Sequence, residues 1–414
     1  RLRDRFKSTA GATARTDWAD INDDPKDQSD DDDDYNIHGN FKEKEQFEDY
    51  DDADLSDDDS NAPTASKLLS STAPLLSDRS LRLAPNILKI ERVRDGNLSE
   101  PSEATVQSVQ FHPGADDDSP LLMTAGMDKT LRFFQIDGES NPKVHGIHFP
   151  NLPIRCASFL GDTGNVVVSG RRKFFYIYDT IAGKIDKIPR IQGRNERSLE
   201  KFATSPDGST IAFVGNDGYI ILVDVQSKSR IALFKMNGSC RAVTFTPDGE
   251  NIISSGSDGD VYMWDIRSSK CLNKFHNEDG SITSSLSASS RFLAVGSESG
   301  VVNLYNDKDW AQPRSSMMPT TPKPLKTIMN LSTSIDRAIF NHDGQILAMS
   351  TQREQNGLKL LHVPSKTVFS NWPTSKTPLG YVWSLDFSPQ GRYLAIGNDK
   401  GKCLLYNMKH YNED

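Results

Sequence analysis

The sequence is poor in cysteine and contains no apolar run long enough to cross a membrane. Its 414 residues include four cysteines, at positions 156, 240, 271 and 403, and none of them forms a Cys-x-x-Cys pair. This spacing argues against a disulfide framework and against the common zinc motifs. We therefore expect buried free thiols in a reducing compartment and no association with a membrane.

The motifs of the common enzyme classes are also missing. There is no Gly-x4-Gly-Lys-Ser/Thr loop, no Gly-x-Ser-x-Gly elbow and no His-Glu-x-x-His motif. The eight histidines lack metal-ligand spacing, and the closest pair, His145 and His148, has no cysteine or acid nearby. We expect no catalytic residue, no metal, no cofactor and no small-molecule substrate.

A repeated phrase, most complete at residues 251–265, occupies most of the chain. Variants of it recur at intervals of about 41–57 residues, and six of the seven end in a hydrophobic residue followed by Asp or Asn. Such periodicity predicts one supersecondary unit that stacks into a ring. The closing pairs are Ile136-Asp137, Tyr178-Asp179, Val223-Asp224, Trp264-Asp265, Tyr305-Asn306, His362-Val363 and Tyr406-Asn407.

Each unit reads as a small antiparallel sheet. Alternating apolar residues predict strands, and Pro-Asp-Gly turns separate them. One four-stranded sheet cannot bury both of its faces, but seven around an axis can. The pattern resembles the WD-repeat β-propeller family from Ile87 to Asn412. It predicts an all-β, seven-bladed propeller.

The ends of this domain are expected to meet. The seventh unit has only three strands after Gly380, and the chain then stops. Residues Ile87–Arg94 alternate well and precede the first unit, so we expect this segment to supply the missing outer strand beside Lys402–Met408. The Pro-rich segment Trp310–Leu325 is predicted to be an irregular insertion between blades five and six.

The resemblance also assigns a structural role to acidic turns. In WD repeats, an aspartate between the second and third strands helps to order the blade. Blade five has only Glu298 nearby, blades two and six lack a match, and the Gly-His pair that usually opens a repeat is absent. The matching residues are Asp128, Asp217, Asp258 and Asp399.

Residues 1–86 differ in composition from residues 87–412. They carry 22 acidic and 11 basic residues, a net charge of −11, and an unbroken run from Asp30 to Asp34. Such a segment buries too little apolar surface to fold alone, so we predict a disordered acidic extension before the propeller. Its apolar residues within 41–55 suit a basic groove on a partner, and the alternative is a solvated tail.

Two further expectations concern this extension. Ser29 and Ser56 each precede aspartates, a context typical of acid-directed phosphorylation. The chain begins with Arg1 instead of methionine, so we expect further residues before it and read no targeting signal.

A cluster of basic residues is the informative surface feature. The residues fall in turns between second and third strands or in a connection between blades, and both kinds of loop emerge on one face of a propeller. The cluster suits a phosphate backbone or an acidic partner, and the alternative is scattered solvated cations. No aromatic residues alternate with these cations, so the sequence does not predict stacking of nucleic-acid bases. The candidates are Lys129, Arg171, Arg172, Lys173, Arg194 and Arg197.

Two longer phrases carry a closer resemblance. Residues 127–138, and residues 191–202 followed by 205–208, resemble the U3 small nucleolar RNA-associated WD-repeat proteins of the small-subunit processome. This resemblance implies a non-catalytic nucleolar subunit that acts with the U3 ribonucleoprotein, pre-ribosomal RNA and other propellers. It also implies an N-terminal motif that recruits an RNA-exosome helicase, although residues 1–86 contain no convincing copy of that motif.

Two other functions remain open at this point. One is a propeller that selects substrates for a ubiquitin ligase or reads chromatin, although no ligase-docking segment is evident. The other is a propeller hydrolase, which would need clustered, solvent-facing acids or histidines at the mouth of the channel.

Overall fold

The computed structural model describes residues 82–115, 119–278, 282–307, 322–374 and 376–412. Within these ranges, 28 strands form seven four-stranded antiparallel sheets. The predicted seven-bladed propeller is therefore confirmed. Ser29, Ser56 and the acidic run lie outside the described residues, and the boundary at residue 86 stays a prediction.

The first half of the ring follows one short strand, β1 (Ile90–Arg92). Blade one comprises β2 (Val106–Phe111), β3 (Leu121–Gly126), β4 (Thr130–Gln135) and β5 (Lys143–His148). Blade two comprises β6 (Cys156–Phe159), β7 (Asn165–Ser169), β8 (Phe175–Asp179) and β9 (Lys184–Ile188). Blade three comprises β10 (Phe202–Thr204), β11 (Thr210–Val214), β12 (Tyr219–Asp224) and β13 (Arg230–Lys235).

The second half repeats this order and ends in a short 3-10 turn at Lys409–Asn412. Blade four comprises β14 (Cys240–Phe245), β15 (Asn251–Gly256), β16 (Asp260–Asp265) and β17 (Lys270–His276). Blade five comprises β18 (Thr283–Ala288), β19 (Phe292–Ser297), β20 (Val302–Asn306) and β21 (Lys326–Ile328). Blade six comprises β22 (Arg337–Phe340), β23 (Ile346–Ser350), β24 (Leu358–His362) and β25 (Thr367–Val368). Blade seven contributes β26 (Val382–Phe387), β27 (Tyr393–Asn398) and β28 (Cys403–Met408).

The core lies between neighbouring blades, where both faces of the middle strands are buried. Phe175 of β8 and Phe213 of β11 meet with their ring centroids 4.7 Å apart, which joins blades two and three. In blade four, the Trp264 indole N–H donates to Ser254 Oγ at 2.8 Å, so the one strict Trp-Asp repeat also satisfies its buried polar atom.

The predicted closing strand is confirmed. β1 pairs with β28 in antiparallel register, with Ile90 opposite Met408 and Arg92 opposite Tyr406. The strand covers three residues of the predicted segment. Leu88, before it, is buried, and its backbone N–H and carbonyl both bond to the Asn371 side chain, at 3.0 and 2.7 Å.

The Pro-rich insertion lies elsewhere than predicted. It falls within blade five, between β20 and β21, because β21 at Lys326–Ile328 still pairs with β20. The prediction that it separates blades five and six was therefore wrong. Residues 310–321 of the insertion lie outside the described residues.

The cysteines are all free thiols, but their burial differs from the prediction. Cys240 and Cys403 are buried, and Cys156 is partly buried. Cys271 is exposed because it lies on β17, the outer strand of blade four, so the expectation of burial was wrong for this residue.

Candidate interaction surface

Two turns and two connections between blades meet beside blades one and two. The turns join β3 to β4 and β7 to β8, and the connections precede β6 and β10. Backbone hydrogen bonds link them: the Phe149 N–H donates to the Lys129 carbonyl at 2.7 Å, and the Leu199 N–H donates to the Arg172 carbonyl at 3.0 Å. The side chains of these loops are therefore held on a rigid frame.

Close backbone contacts explain the local sequence. A Cβ atom at Gly170 would lie 2.4 Å from the Pro153 carbonyl oxygen, so only glycine allows the turn and the connection to approach. Lys129 adopts a left-handed backbone conformation, with φ of 63°, at the tip of the β3–β4 turn. These constraints place the Lys129 and Arg171 side chains at one opening.

This opening is a surface pocket with a volume of about 620 Å³, which we call the basic pocket. Five of the six predicted cations line it together with Lys187 of β9, which the sequence pattern did not indicate. Two prolines, Asn151 and Phe174 complete the lining, and none of its described residues carries a carboxylate. The basic residues that line the pocket are Lys129, Arg171, Arg172, Lys173, Lys187 and Arg197.

Most of these cations have no acidic partner. Arg171 is the exception, since its Nε atom lies 2.7 Å from Glu200 Oε2. The other five form no ion pair within the described part of the chain. The Lys187 ammonium lies 4.4 Å above the centroid of the Phe174 ring, a cation–π contact that leaves its charge unneutralised.

Arg194, the sixth predicted cation, does not line the pocket. Its guanidinium pairs with Glu196, with Nη2 2.5 Å from Oε1, and lies 4.1 Å above the centroid of the Tyr219 ring. Its side chain is 19% exposed and that of Glu196 is 4% exposed. Arg194 therefore contributes to the packing of blade three.

Three of the four predicted turn acids bond to their own blade. Asp128 lies 2.5 Å from Arg132 Nη1 and accepts the Thr130 N–H at 3.3 Å. Asp258 accepts the Tyr262 hydroxyl at 2.9 Å. Asp399 accepts the Tyr381 N–H at 3.1 Å.

Blade three orders its turn differently. Asp217 is exposed and left-handed, with φ of 56°, and its carboxylate makes no hydrogen bond among the described residues. Glu196 instead reaches from the preceding connection and accepts the Asn216 N–H at 2.7 Å. The acid that orders this turn therefore comes from a neighbouring loop, outside the position at which the repeats align.

The mouth of the central channel forms a second concavity of about 430 Å³, next to the basic pocket. Arg171 lines both. Each blade contributes the residue four positions before the end of its first strand, a regular spacing that is present in the sequence but that the turn and strand patterns alone did not single out. These seven residues are Gln107, Arg155, Glu200, Arg241, Ser284, Asp336 and Trp383.

Charges at the mouth are crowded and partly paired. Partial burial and the nearby Arg171 lower the pKa of Arg155. Glu298, the acid noted in blade five, lies 3.7 Å from Arg241 and 3.4 Å from Arg353. Deeper in the channel, Asp386 accepts the Phe111 N–H at 2.8 Å, and burial raises its pKa to about 7.

Comparison with known proteins agrees with the fold. The family model described as WD domain, G-beta repeat matches residues 230–265 and 373–407. U3 small nucleolar RNA-associated protein 18 homologs from Arabidopsis thaliana and Homo sapiens are 44% and 39% identical, over 86% and 84% of this chain. U3 small nucleolar RNA-associated protein 18 of Saccharomyces cerevisiae is 33% identical over 85% of it. The chain belongs to this family.

This membership confirms the resemblance inferred from the two longer phrases. The matched regions span 64%, 61% and 66% of the lengths of the Arabidopsis, human and yeast relatives. The chain thus corresponds to about two thirds or less of these family members.

Two further observations concern metal sites and membrane-spanning helices. Within the described ranges, no group of three or more histidine, cysteine, aspartate or glutamate side chains is placed to hold a metal ion. The same ranges contain no helix with the length and apolar character needed to cross a membrane.

Proposed function

We propose that this chain is a non-catalytic scaffold subunit of the nucleolar small-subunit processome. In this role it acts with the U3 ribonucleoprotein in pre-18S ribosomal RNA processing and early assembly of the small subunit. The observation that carries the proposal is the alignment of more than four fifths of the chain with relatives named for association with U3 small nucleolar RNA.

The mechanism is positional. A closed ring of seven sheets is rigid and presents several faces at fixed angles, which suits a protein that holds several partners at once. The partners we propose are other processome propellers, the U3 ribonucleoprotein and pre-ribosomal RNA. Recruitment of an RNA-exosome helicase through the N-terminal region belongs to the same proposal, and its residues lie outside the described ranges.

The channel mouth supports a binding role better than hydrolysis. A hydrolytic site needs solvent-facing acids or histidines whose pKa values suit proton transfer. Among the described residues that line the mouth, none is a histidine, Glu200 is engaged by Arg171, and Asp336 accepts the Gln352 N–H at 2.8 Å. Asp386, whose pKa is raised, lies away from these two acids and accepts the Phe111 N–H. The nearby Glu298 is likewise flanked by two arginines.

Affinity purification of the tagged chain from nuclear extract, with proteins and RNA both identified, tests this function. We expect enrichment of U3 RNA, pre-ribosomal RNA and other propeller subunits. Tagged protein lacking residues 82–94, whose ring cannot close, serves as the control for folding-dependent association. Recovery of ubiquitin-ligase subunits or nucleosomes without U3 RNA would refute the proposal.

A further inference from the structure

The basic pocket stands out on this propeller because it brings together six cations, five of which form no ion pair among the described residues. Several exposed cations elsewhere have acidic neighbours: Lys184 and Lys228 both contact Asp186, and Lys274 contacts Asp260. In the pocket, only Arg171 has such a partner within the described ranges. Like charges held together on rigid turns repel one another, and a bound anion relieves that repulsion.

We propose that the basic pocket binds the sugar–phosphate backbone of RNA without regard to base sequence. The proposal deepens the proposed function and rests on it, because a subunit of the processome works next to RNA, which is a polyanion. The pocket's volume of about 620 Å³ accommodates more than one phosphate group. It therefore fits a segment of chain better than a single ion.

The lining offers little apolar surface for the side chains of a protein partner. Three of the cations, Arg171, Arg172 and Arg197, carry planar guanidinium groups, which bind phosphate and carboxylate oxygens alike. Protein interfaces usually add buried apolar contacts to their charged ones. The apolar lining consists of Pro150, Pro153 and the partly buried Phe174, and the Lys187 ammonium covers that ring.

The contact between Lys187 and Phe174 also argues against recognition of RNA bases. Single-stranded RNA is usually recognised by stacking its bases on exposed aromatic faces. Among the described lining residues, Phe174 is the one aromatic side chain, and the Lys187 ammonium lies 4.4 Å from its ring centroid. The part of the pocket that the structure describes therefore offers charge for the backbone and no uncovered ring for a base.

The charged surface continues beyond the pocket. Arg171 also lines the channel mouth, together with Arg155 and Arg241. An RNA strand held in the pocket is thus led over Arg171 toward the channel mouth. Glu200, paired with Arg171 on this path, limits how far the positive surface extends.

Fluorescence anisotropy with the purified 414-residue chain tests the site outside any particle. The probes are labelled single-stranded oligouridine and oligoadenosine of equal length, with polyglutamate as competitor. Similar affinities for the two RNAs are expected. If the five unpaired cations each contact a phosphate, the slope of log affinity against log salt should be about −3.5.

The informative variant is Arg172→Glu, Lys173→Glu and Arg197→Glu combined, which leaves the Arg171–Glu200 pair intact. It should weaken binding by at least about tenfold at low salt and make the slope shallower by about 2. The matched control is Arg267→Glu, Lys270→Glu and Lys366→Glu, three exposed cations on the outer hairpins of blades four and six. This control variant has the same net charge as the pocket variant, and it should bind RNA with the affinity of wild type. Circular dichroism melting of both variants confirms that they fold.

Each remaining outcome overturns the inference. Equal loss in both variants would indicate net charge alone. A strong preference for one oligonucleotide would indicate base reading. Polyglutamate that displaces RNA at equal charge concentration would assign the pocket to an acidic protein. Absence of RNA binding by wild type, with U3 RNA still recovered from extract, would refute the site and leave the processome function standing.

Discussion

Ile90, in the first strand of the propeller, lies opposite Met408, in the last strand. This pair joins two ends of the domain that are more than 300 residues apart, and the fourth strand of blade seven exists only through it. Leu88 and Tyr406 belong to the same buried cluster between blades six and seven. The ring is therefore closed by side-chain packing as well as by strand pairing.

Leu88→Ala should destabilise the propeller strongly, whereas Ile87→Ala should not. Leu88 is 1% exposed, and truncating such a side chain leaves a cavity that costs about 2–5 kcal/mol. Ile87 is 65% exposed, and its truncation should change stability by less than about 0.5 kcal/mol. Urea unfolding followed by tryptophan fluorescence measures both effects. A change for Leu88→Ala as small as that for Ile87→Ala would show that the packing of Leu88 does not stabilise the closed ring.

The sequence predicts the ring well because the repeat is a physical unit. Alternation at residues 87–94 and a missing strand after Met408 together predict the closure. The position of the insertion in blade five was harder to predict, because the long interval does not reveal on which side of the outer strand the extra residues fall. That strand, β21, has only three residues and a weak apolar pattern.

Glu196→Ala should destabilise blade three by about 1–3 kcal/mol. The substitution removes the acceptor of the Asn216 N–H and the ion-pair partner of Arg194. A partly buried donor that loses its acceptor lowers the free energy of unfolding by about 1–3 kcal/mol. Arg197→Ala, at an exposed neighbour without an ion pair among the described residues, is the matched control and should leave stability unchanged. Hydrogen exchange at Asn216 localises the effect. Protection as in wild type would contradict the assignment.

Part of the candidate site could also be predicted from the repeating order of strands and turns. Lys129 and the 171–173 turn follow from strand order, because turns between second and third strands share one face. Arg194 could not be assigned from its position, since its partners are a glutamate two residues away and a ring on the next strand pair. Lys187 was missed because it lies in a strand, whereas the predicted cluster was confined to loops.

Asp386→Asn should flatten the pH dependence of stability between about pH 4 and pH 7. Burial raises the pKa of Asp386 to about 7 from 3.8, although Arg337 and backbone N–H groups partly oppose this. The folded state then holds a proton that the unfolded chain releases, so this stabilisation is full below about pH 4 and is lost as the pH rises through 7. Asparagine stays neutral and can still accept the Phe111 N–H.

Urea midpoints at about pH 5 and pH 8 measure this difference. The midpoint of wild type should fall more than that of Asp386→Asn over this range. Asp162→Asn, at an exposed carboxylate, is the control and should behave like wild type. Identical pH profiles for Asp386→Asn and wild type would contradict the raised pKa.

Replacing residues 308–321 with a short Gly-Ser linker should leave the ring folded. β20 and β21 pair on either side of this segment, and the Leu325 N–H donates to the Leu304 carbonyl at 2.7 Å, so the flanking structure is held independently. Long insertions on rigid scaffolds often carry contacts, so one partner should be lost from affinity purifications. Loss of cooperative unfolding would contradict a purely peripheral insertion.

The combined variant Arg171→Glu, Arg172→Glu and Lys173→Glu should impair assembly without impairing folding. All three side chains are exposed, and surface substitutions usually cost within about 0.5 kcal/mol each. The interaction of wild type should weaken as salt rises, because exposed charges are screened. Incorporation into particles should fall for this variant and not for the variant with Arg267, Lys270 and Lys366 reversed. Equal incorporation of the two would leave the pocket as ordinary solvated surface.

The processome role is tested most directly by gradient sedimentation of nuclear extract containing the tagged wild-type chain, with U3 RNA measured in every fraction. A subunit of the small-subunit processome should sediment with U3 RNA in large particles, and nuclease treatment or depletion of U3 RNA should shift it to lighter fractions. Tagged protein that stays in light fractions, or in heavy fractions free of U3 RNA, would contradict this role.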